Sequence, residues 1–343
     1  MASLLEKNIV NAGKREDLAN LIAMVDAKDT PFTSMAKKGS QPGNTIFRWQ
    51  ADRLPSAAAP TPVVDGTDVD PVTGTSNFVN DGGVQYRVEL SNRIQIFRKA
   101  VRVSKLTQDV ANIAGVRDEL ANNVSKAITM LKRDMEVAMC SNQGAQVDNG
   151  TVGYRTRGLD KWITPAASID TVDLPAAASN FCPSASQIST VGTAALTETV
   201  VQDILTGIYN QTGQFKNYDA IVGPTLKRAF TNLVFTTPSS GSDETRTAVR
   251  TLNRDADEAT YISSVDVFQG DFGQIRLHPS LFLKNNFSGY IIPFDMVEVR
   301  YGGNVAGVTE LQDNGGGPAR LIEAVAGLCV YNPLAFGKFD FTA

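Results

Sequence analysis

The sequence predicts an α+β protein in which a charged N-terminal arm and a long two-stranded loop precede one long helix and a mixed α/β body. Three observations carry this reading. Strand-type alternation near 46–51 and again at 86–103 flanks a stretch, 54–83, that is nearly free of bulky apolar side chains. A single helical stripe then runs from Leu106 to Ala138, and from residue 197 onward short helices alternate with β-rich runs.

Residues 1–41 read as an arm. They carry mixed charges and a weak helical signal at Leu18, Leu21, Ile22 and Val25, and they are punctuated by Pro31 and Gly39. Too few apolar residues are present for a core of their own.

From Asn44 the pattern becomes that of a strand, with Ile46, Arg48 and Gln50 alternating with Phe47, Trp49 and Ala51. Tyr86–Leu90 and Ile94–Val103 are rich in β-branched and aromatic residues, which suit a pleated, half-buried surface. A connection as long as 54–83 does not belong inside a compact domain. We therefore read 42–103 as an extended two-stranded loop projecting from the body.

Its charges are unequally placed. Residues 52–81 hold Asp52, Asp65, Asp68, Asp70 and Asp81 against Arg53 alone, whereas 85–105 hold Arg87, Arg93, Arg98, Lys99, Arg102 and Lys105 against Glu89. An acidic tip on a basic stem fits head-to-tail contact between copies, the tip of one meeting the stem of the next. Arg98 and Arg102 share parity and face the same side of an undistorted strand, so they are candidate receivers for Asp65, Asp68 and Asp70 of a neighbour. The alternative is two charge clusters that are solvated independently.

Leu106, Val110, Ile113, Leu120, Val124, Ala127, Ile128, Leu131, Met135 and Ala138 recur at steps of three and four, with Arg117, Asp118, Lys132 and Arg133 off the stripe. Thr107 is placed to cap this helix, and Asp109 suits the positive end of its dipole. A helix over 107–140 would be about 50 Å long, a span across a flat subunit. In the body, Thr197 caps a helix with Val200, Val201, Ile204, Leu205 and Ile208 on one face, and Gly213 ends it. Tyr218–Val222 reads as a buried strand, followed by Gly223 and a helix that starts at Pro224. Strands are expected at 264–268, 273–277, 289–292, 296–300 and 321–331, giving a mixed sheet with flanking helices.

Composition narrows the function. With 343 residues, 42% hydrophobic and 20% charged, the chain is long enough for more than one apolar core. No stretch is long and apolar enough for a membrane span, and early charges interrupt any secretory core, so the chain is expected to stay where it is made. Cys140, Cys182 and Cys329 are odd in number and far apart, as expected of buried thiols in a reducing compartment. A net charge of −4 argues against a dedicated nucleic-acid binder. The single histidine, His278, sits before Pro279, and no metal-ligand spacing, phosphate loop, dinucleotide fingerprint or nucleophile elbow occurs. Asp243-Glu244 and Asp257-Glu258 lie in polar stretches without the burial that acid/base work requires. No catalytic, cofactor-binding or metal residue is assigned; an enzyme here would have to act through carboxylates alone, as a glycosidase does.

Several local phrases, in order along the chain, resemble the major capsid proteins of tailed bacteriophages. They are Asp29-Thr-Pro-Phe-Thr-Ser-Met, Phe47-Arg-Trp-Gln-Ala-Asp, Asn92-Arg-Ile-Gln-Ile-Phe-Arg-Lys-Ala-Val-Arg-Val-Ser, Arg133-Asp-Met-Glu-Val-Ala, Gly158-Leu-Asp-Lys-Trp-Ile, Ile221-Val-Gly-Pro and Asp271-Phe-Gly. The resemblance implies the Hong Kong 97-type fold: an N-arm over 1–41, the extended loop over 42–103, a peripheral domain with the spine helix over 104–151 and 301–330, and an axial domain over 152–300 and 331–343. It further implies hexamers and pentamers of an icosahedral head assembled in the host bacterial cytoplasm. Portal, scaffolding and cement proteins would be partners, packaged double-stranded DNA a non-specific neighbour, and no membrane or cofactor would be involved. Encapsulin shells, which enclose cargo proteins, and phage tail or baseplate proteins are the alternatives.

Some capsid relatives join subunits covalently, through a loop lysine and an asparagine of the next subunit. No lysine occurs between Lys38 and Lys99, and a guanidinium stays protonated and cannot serve as the nucleophile. Boiled particles should therefore run as one band near the 36.8 kDa monomer on a denaturing gel. A ladder that survives reductant would refute this.

Overall fold

A computed structural model describes residues 26, 28–54, 65–66, 87–110, 118–190, 196–233, 252–255, 258–261, 265–303 and 306–340. In chain order its elements are α1 (Pro31–Met35), β1 (Lys37–Lys38), β2 (Ile46–Asp52), β3 (Arg87–Arg93), β4 (Gln95–Arg102), α2 (Lys105–Val110), α3 (Glu119–Cys140), α4 (Leu159–Trp162), β5 (Ile188–Ser189), α5 (Glu198–Thr212), β6 (Lys216–Val222) and α6 (Pro224–Leu233). There follow β7 (Leu252–Asp255), β8 (Glu258–Tyr261), β9 (Val267–Gly270), β10 (Gly273–Pro279), β11 (Ser288–Ile292), β12 (Val297–Tyr301), β13 (Gly307–Leu311), β14 (Ala319–Val330) and β15 (Gly337–Asp340).

Two sheets organise these elements. In the five-stranded sheet β14 is central: residues 319–323 pair at once with β13 and β4, and Ala326 pairs with both Tyr301 of β12 and Gln95 of β4. So β12 and β13 lie end to end along one edge of β14, and β4 runs along the other. The buried face of this sheet, with Phe97, Ile322, Ala324 and Leu328, shares a core with Ala127, Leu131 and Met135 of α3. The six-stranded sheet has the order β5-β15-β11-β6-β10-β9 and mixed direction. Alternation splits β6 between its two faces, because Tyr218, Ala220 and Val222 join the core under α5 and α6 while Ile221 joins the core of the first sheet. Every residue of β11 is buried, as expected of a strand covered on both sides.

The local signals of the body are realised. The Thr197 hydroxyl accepts from Val200 N–H at 3.4 Å, and Gly213, at φ 63°, ends α5 with its N–H donating to Tyr209 O. Pro224 opens α6. The strand β13 was not foreseen; its exposed Val308, Thr309 and Glu310 carry little apolar signal.

Three expectations change. The helix expected over 107–140 is α3, 22 residues beginning at Glu119, with α2 a separate element before it and 111–117 outside the described residues. The break at its start is chemical: Asp118 is extended, at φ −137° and ψ 105°, and its carboxylate accepts from Ala121 N–H as an N-cap. At 1.5 Å per residue α3 spans about 33 Å. Thr107 does not cap a long helix; it lies inside α2, where Ser104 Oγ accepts from its N–H. The two-stranded part of the loop is β2 with β3 only, and β4 is a full member of the five-stranded sheet. Finally, residues 30–39 are built into the body: Phe32 is fully buried, and β1 pairs in parallel with β12. The helical signal at 18–25 lies outside the described residues.

Gly158 leads into α4, and a Cβ there would stand 2.1 Å from the Ser141 carbonyl oxygen and 3.1 Å from that of Ala138. Gly153 has open space around it. Gly158→Ala should lower stability by about 1–3 kcal/mol through forced backbone displacement, whereas Gly153→Ala should be neutral. Thermal melting of the two variants reads the contrast.

Candidate functional site

The sequence directs attention to the loop and the arm, of which the structure describes the ends that meet the body. The stem of the loop is amphipathic. Phe47, Trp49 and Ala51 of β2 and Val88 and Leu90 of β3 point inward and are buried. Outward, Arg48 pairs with Glu89 at 2.5 Å and Arg87 with Asp52 at 3.1 Å. Beneath the stem runs a ladder of rings: Arg300 lies 5.2 Å over Phe47, Phe47 stacks on Trp49 at 5.8 Å, Trp49 meets Trp162 at 5.6 Å, and Arg157 lies 4.6 Å over Trp162. Gly327 of β14 lets the stem come this close, since a Cβ there would be 2.6 Å from the Phe47 ring.

Where β3 turns into β4, two buried polar side chains fix the stem's direction. Asn92 donates to Leu328 O at 2.6 Å and Arg157 O at 3.1 Å, and its Oδ1 accepts from Arg157 N–H at 2.7 Å and Arg93 N–H at 2.8 Å. The Arg157 guanidinium, 1% exposed, donates to Ser91 O, Asp170 Oδ2, Asp170 O and Val172 O at 2.7–3.3 Å. Burial pulls its pKa down, and the Asp170 carboxylate opposes that pull. Arg93 makes a bidentate pair with Asp173 at 2.5 and 2.8 Å. This bonding holds the Asp173 carboxyl below the usual range, so the pair supports the folded state at neutral pH and stops doing so as falling pH protonates it.

The arm has its own lock. Glu136 of α3 is fully buried, and its two oxygens accept the N–H groups of Phe32 and Thr33, each at 2.8 Å, at the start of α1. Burial raises its pKa, and these two bonds act against the rise. A third buried cluster joins the six-stranded sheet to α3 and α4: Lys338 Nζ of β15 lies 2.7 Å from Asp160 of α4 and 3.0 Å from Asp340, while Tyr290 OH of β11 is within 3.1 Å of both Asp160 Oδ1 and the Cys140 carbonyl. These arrangements hold the chain in place and present no reacting group to solvent. His278 Nε2 lies 3.0 Å from Asp219, and among the described residues no group of three His, Cys, Asp or Glu is placed to hold a metal ion. Burial pushes the Cys182 thiol up to about 11 and that of Cys329 to about 12.

The described parts of stem and arm are thus each locked to a two-sheet body, and residues 6–342 match the family model of the SU10 major capsid protein. The chain belongs to that family. The major capsid protein of Escherichia phage Phieco32 is 37% identical over 131 residues, which is 38% of this chain and 34% of that protein, so the match spans about a third of the curated relative. Among solved structures, the capsid of Cyanophage A-1(L) aligns over 96% of this chain and 98% of its own, with TM-score 0.60 and 14% identity. The SrpI encapsulin complex from Synechococcus elongatus aligns over 95% and 92%, with TM-score 0.54 and 10% identity. The fold is thus that of a tailed-phage capsid subunit, as the sequence resemblance implied.

Within this family member, the charges of the stem are arranged differently from their sequence order. Arg98 pairs with Glu323 across β4 and β14 at 2.6 Å, and Lys99 pairs with Asp134 of α3. With Arg87 and Arg93 also paired, most of the basic stem is neutralised within the chain. Arg98 and Arg102 do share the exposed side of β4, and Arg102 makes no ion pair among the described residues. Asp65 lies in an exposed turn, while Asp68 and Asp70 lie outside the described residues, as do Asp243, Glu244 and Asp257. Arg157 and Glu136 were not singled out from sequence. The one available signal was Glu136 itself, an acid set between Met135 and Met139 on the apolar side of α3.

Removing the Arg157 guanidinium takes from Asp170 its charge partner and from the Ser91, Asp170 and Val172 carbonyls a hydrogen-bond donor. Arg157→Met should destabilise the fold by about 3–5 kcal/mol, the usual cost of breaking a buried ion pair from one side. Denaturant unfolding measures it, and a loss below about 1 kcal/mol would show that the lock is dispensable.

Proposed function

We propose that the chain is the shell-forming subunit of a tailed-bacteriophage head, assembling as hexamers and pentamers into an icosahedral shell around double-stranded DNA. The observation that carries this reading is the family match over nearly the whole chain, joined to the two buried locks that fix the roots of arm and stem. The encapsulin likeness is one of fold, whereas the family match favours a virion. The chain acts here as a building block and not as an enzyme, is made and assembled in the host cytoplasm, and works with portal, scaffolding and cement proteins. Its peripheral domain corresponds to 104–151 and 301–330 and its axial domain to 152–300 and 331–343. In support, α3 and most of β14 lie in the first core, while α5, α6 and one face of the six-stranded sheet, with Tyr218, Ala220, Val222, Ile275 and Ile291, lie in the second.

Contacts between copies run from the acidic loop, with Asp65, Asp68 and Asp70, to the exposed side of β4. Arg102 is the stronger receiver because Arg98 already has Glu323 beside it. Each exposed pair is worth at most about 1 kcal/mol, and repetition by symmetry multiplies the effect. Electron microscopy of purified protein should show closed shells. A variant lacking 55–83 should remain soluble and melt cooperatively but form none, and Arg102→Glu should lower shell yield with little change in melting. Aggregation of the deletion variant as a monomer would place the loop in the folding core and overturn this account.

A further inference from the structure

The exposed side of α3 is unlike the stem. A cleft of about 360 Å3 opens there, between α3 and the root of the arm, lined by Lys28, Lys126, Arg133, Asn122, Ser125 and Asp26. Three cations from two separate segments converge on it against a single carboxylate, and Lys132, exposed on the same helix, lies outside the lining. Among the described residues none of these four cations has an ion-pair partner, whereas the stem cations Arg48, Arg87, Arg93, Arg98 and Lys99 are each paired within the chain.

We propose that this face binds the phosphate backbone of double-stranded nucleic acid without reading its sequence. The positions Asn122, Lys126, Thr129 and Arg133 follow one another at steps of four, three and four, so they form one straight row, with Lys126 and Arg133 about 10 Å apart along the axis. Arg133 is held in advance: its guanidinium lies 5.3 Å over the Phe282 ring, which fixes its plane and leaves its N–H groups free for an anion. Asn122 and Ser125 add neutral donors, while the Thr129 hydroxyl is committed to Ser125 O at 3.2 Å. An acidic protein segment is the weaker fit. Met130 is the one apolar side chain lining the cleft, and protein partners depend on buried apolar or aromatic anchors, whereas a polyanion binds through charge alone. The chain's overall charge of −4 does not oppose this, since the footprint is local and each contact is weak. A shell would present the row in many copies, and avidity would come from their number.

The inference rests on the proposed shell around DNA, but its test does not need shells. Full-length unassembled protein is titrated against a fluorescein-labelled, mixed-sequence duplex by anisotropy across a salt series. Lys126→Gln combined with Arg133→Gln should weaken binding at low salt by at least about tenfold and reduce the log–log salt slope by about 2, close to 0.9 for each lost phosphate contact. Arg133→Lys should keep most of the slope. Lys37→Gln with Arg228→Gln, two exposed cations elsewhere, should change neither quantity. The proposal falls if wild type fails to bind at the lowest salt, or if the double variant keeps the wild-type slope. It falls equally if a synthetic peptide of residues 52–81 binds the row and the duplex cannot displace it. Shell counts by electron microscopy are read separately: loss of duplex binding with normal shells supports the inference alone, and absence of wild-type shells counts against the proposed function alone.

Discussion

Burying the charge of Arg157 is the constraint on which the rest of the structure depends. An arginine at 1% exposure keeps its charge only while its N–H groups are answered, and a buried unpaired charge costs more than a single hydrogen bond returns. The answers come from Ser91 at the end of the stem and from Asp170 and Val172 in the segment after α4. Asn92 adds a bond to Leu328 of the central strand β14. Two adjacent buried side chains, Arg157 and Asn92, thereby tie together three stretches distant in sequence, and none can shift without breaking these bonds. The stem leaves the body in the direction this arrangement allows, and the ring ladder from Phe47 to Trp162 fills the space below it.

Glu136 does the same work for the arm with opposite charge. Its carboxylate caps the two N–H groups that open α1, so the arm is fixed at Phe32 and not at the end of the charged segment. Both locks are held by surrounding apolar packing: Arg157 rests on Trp162, and Glu136 lies on the side of α3 that buries Met135 and Met139. A low-dielectric setting strengthens these bonds and makes their loss expensive in the same measure.

What was legible in the sequence followed from periodicity and caps. Thr197, Gly213 and Pro224 set the ends of α5 and α6 because capping is local chemistry, and the alternation of Phe47, Trp49 and Ala51 marked the buried side of the stem. The start of α3 was misplaced because the apolar stripe continues through 106–113, and periodicity alone does not register an aspartate that caps from an extended conformation. The stem's charge was misjudged for a different reason. Summing charges along 85–105 treats them as one patch, but Glu323 and Asp134 arrive from strands and helices far away in sequence. Arg157 could not be recognised from composition, since an arginine among Thr, Gly and Asp reads as surface until the carbonyls around it are known.

Rigid roots and unpaired outer charge are complementary parts of one design. Association between subunits costs translational, rotational and side-chain freedom, and only the surplus over that cost appears as affinity. Locking the roots of stem and arm during folding removes part of the ordering that the proposed assembly would otherwise require, so that weak contacts between copies would suffice. Weak contacts carry an advantage of their own, because a misplaced copy held by pairs of about 1 kcal/mol can leave again before the shell closes. Internal pairing of Arg87, Arg93, Arg98 and Lys99 serves the same end, since a stem with six free cations would attract any acidic surface, and one with few is selective. Under the proposed contacts, selectivity between copies would follow from which charges the fold consumes internally as much as from those it leaves exposed.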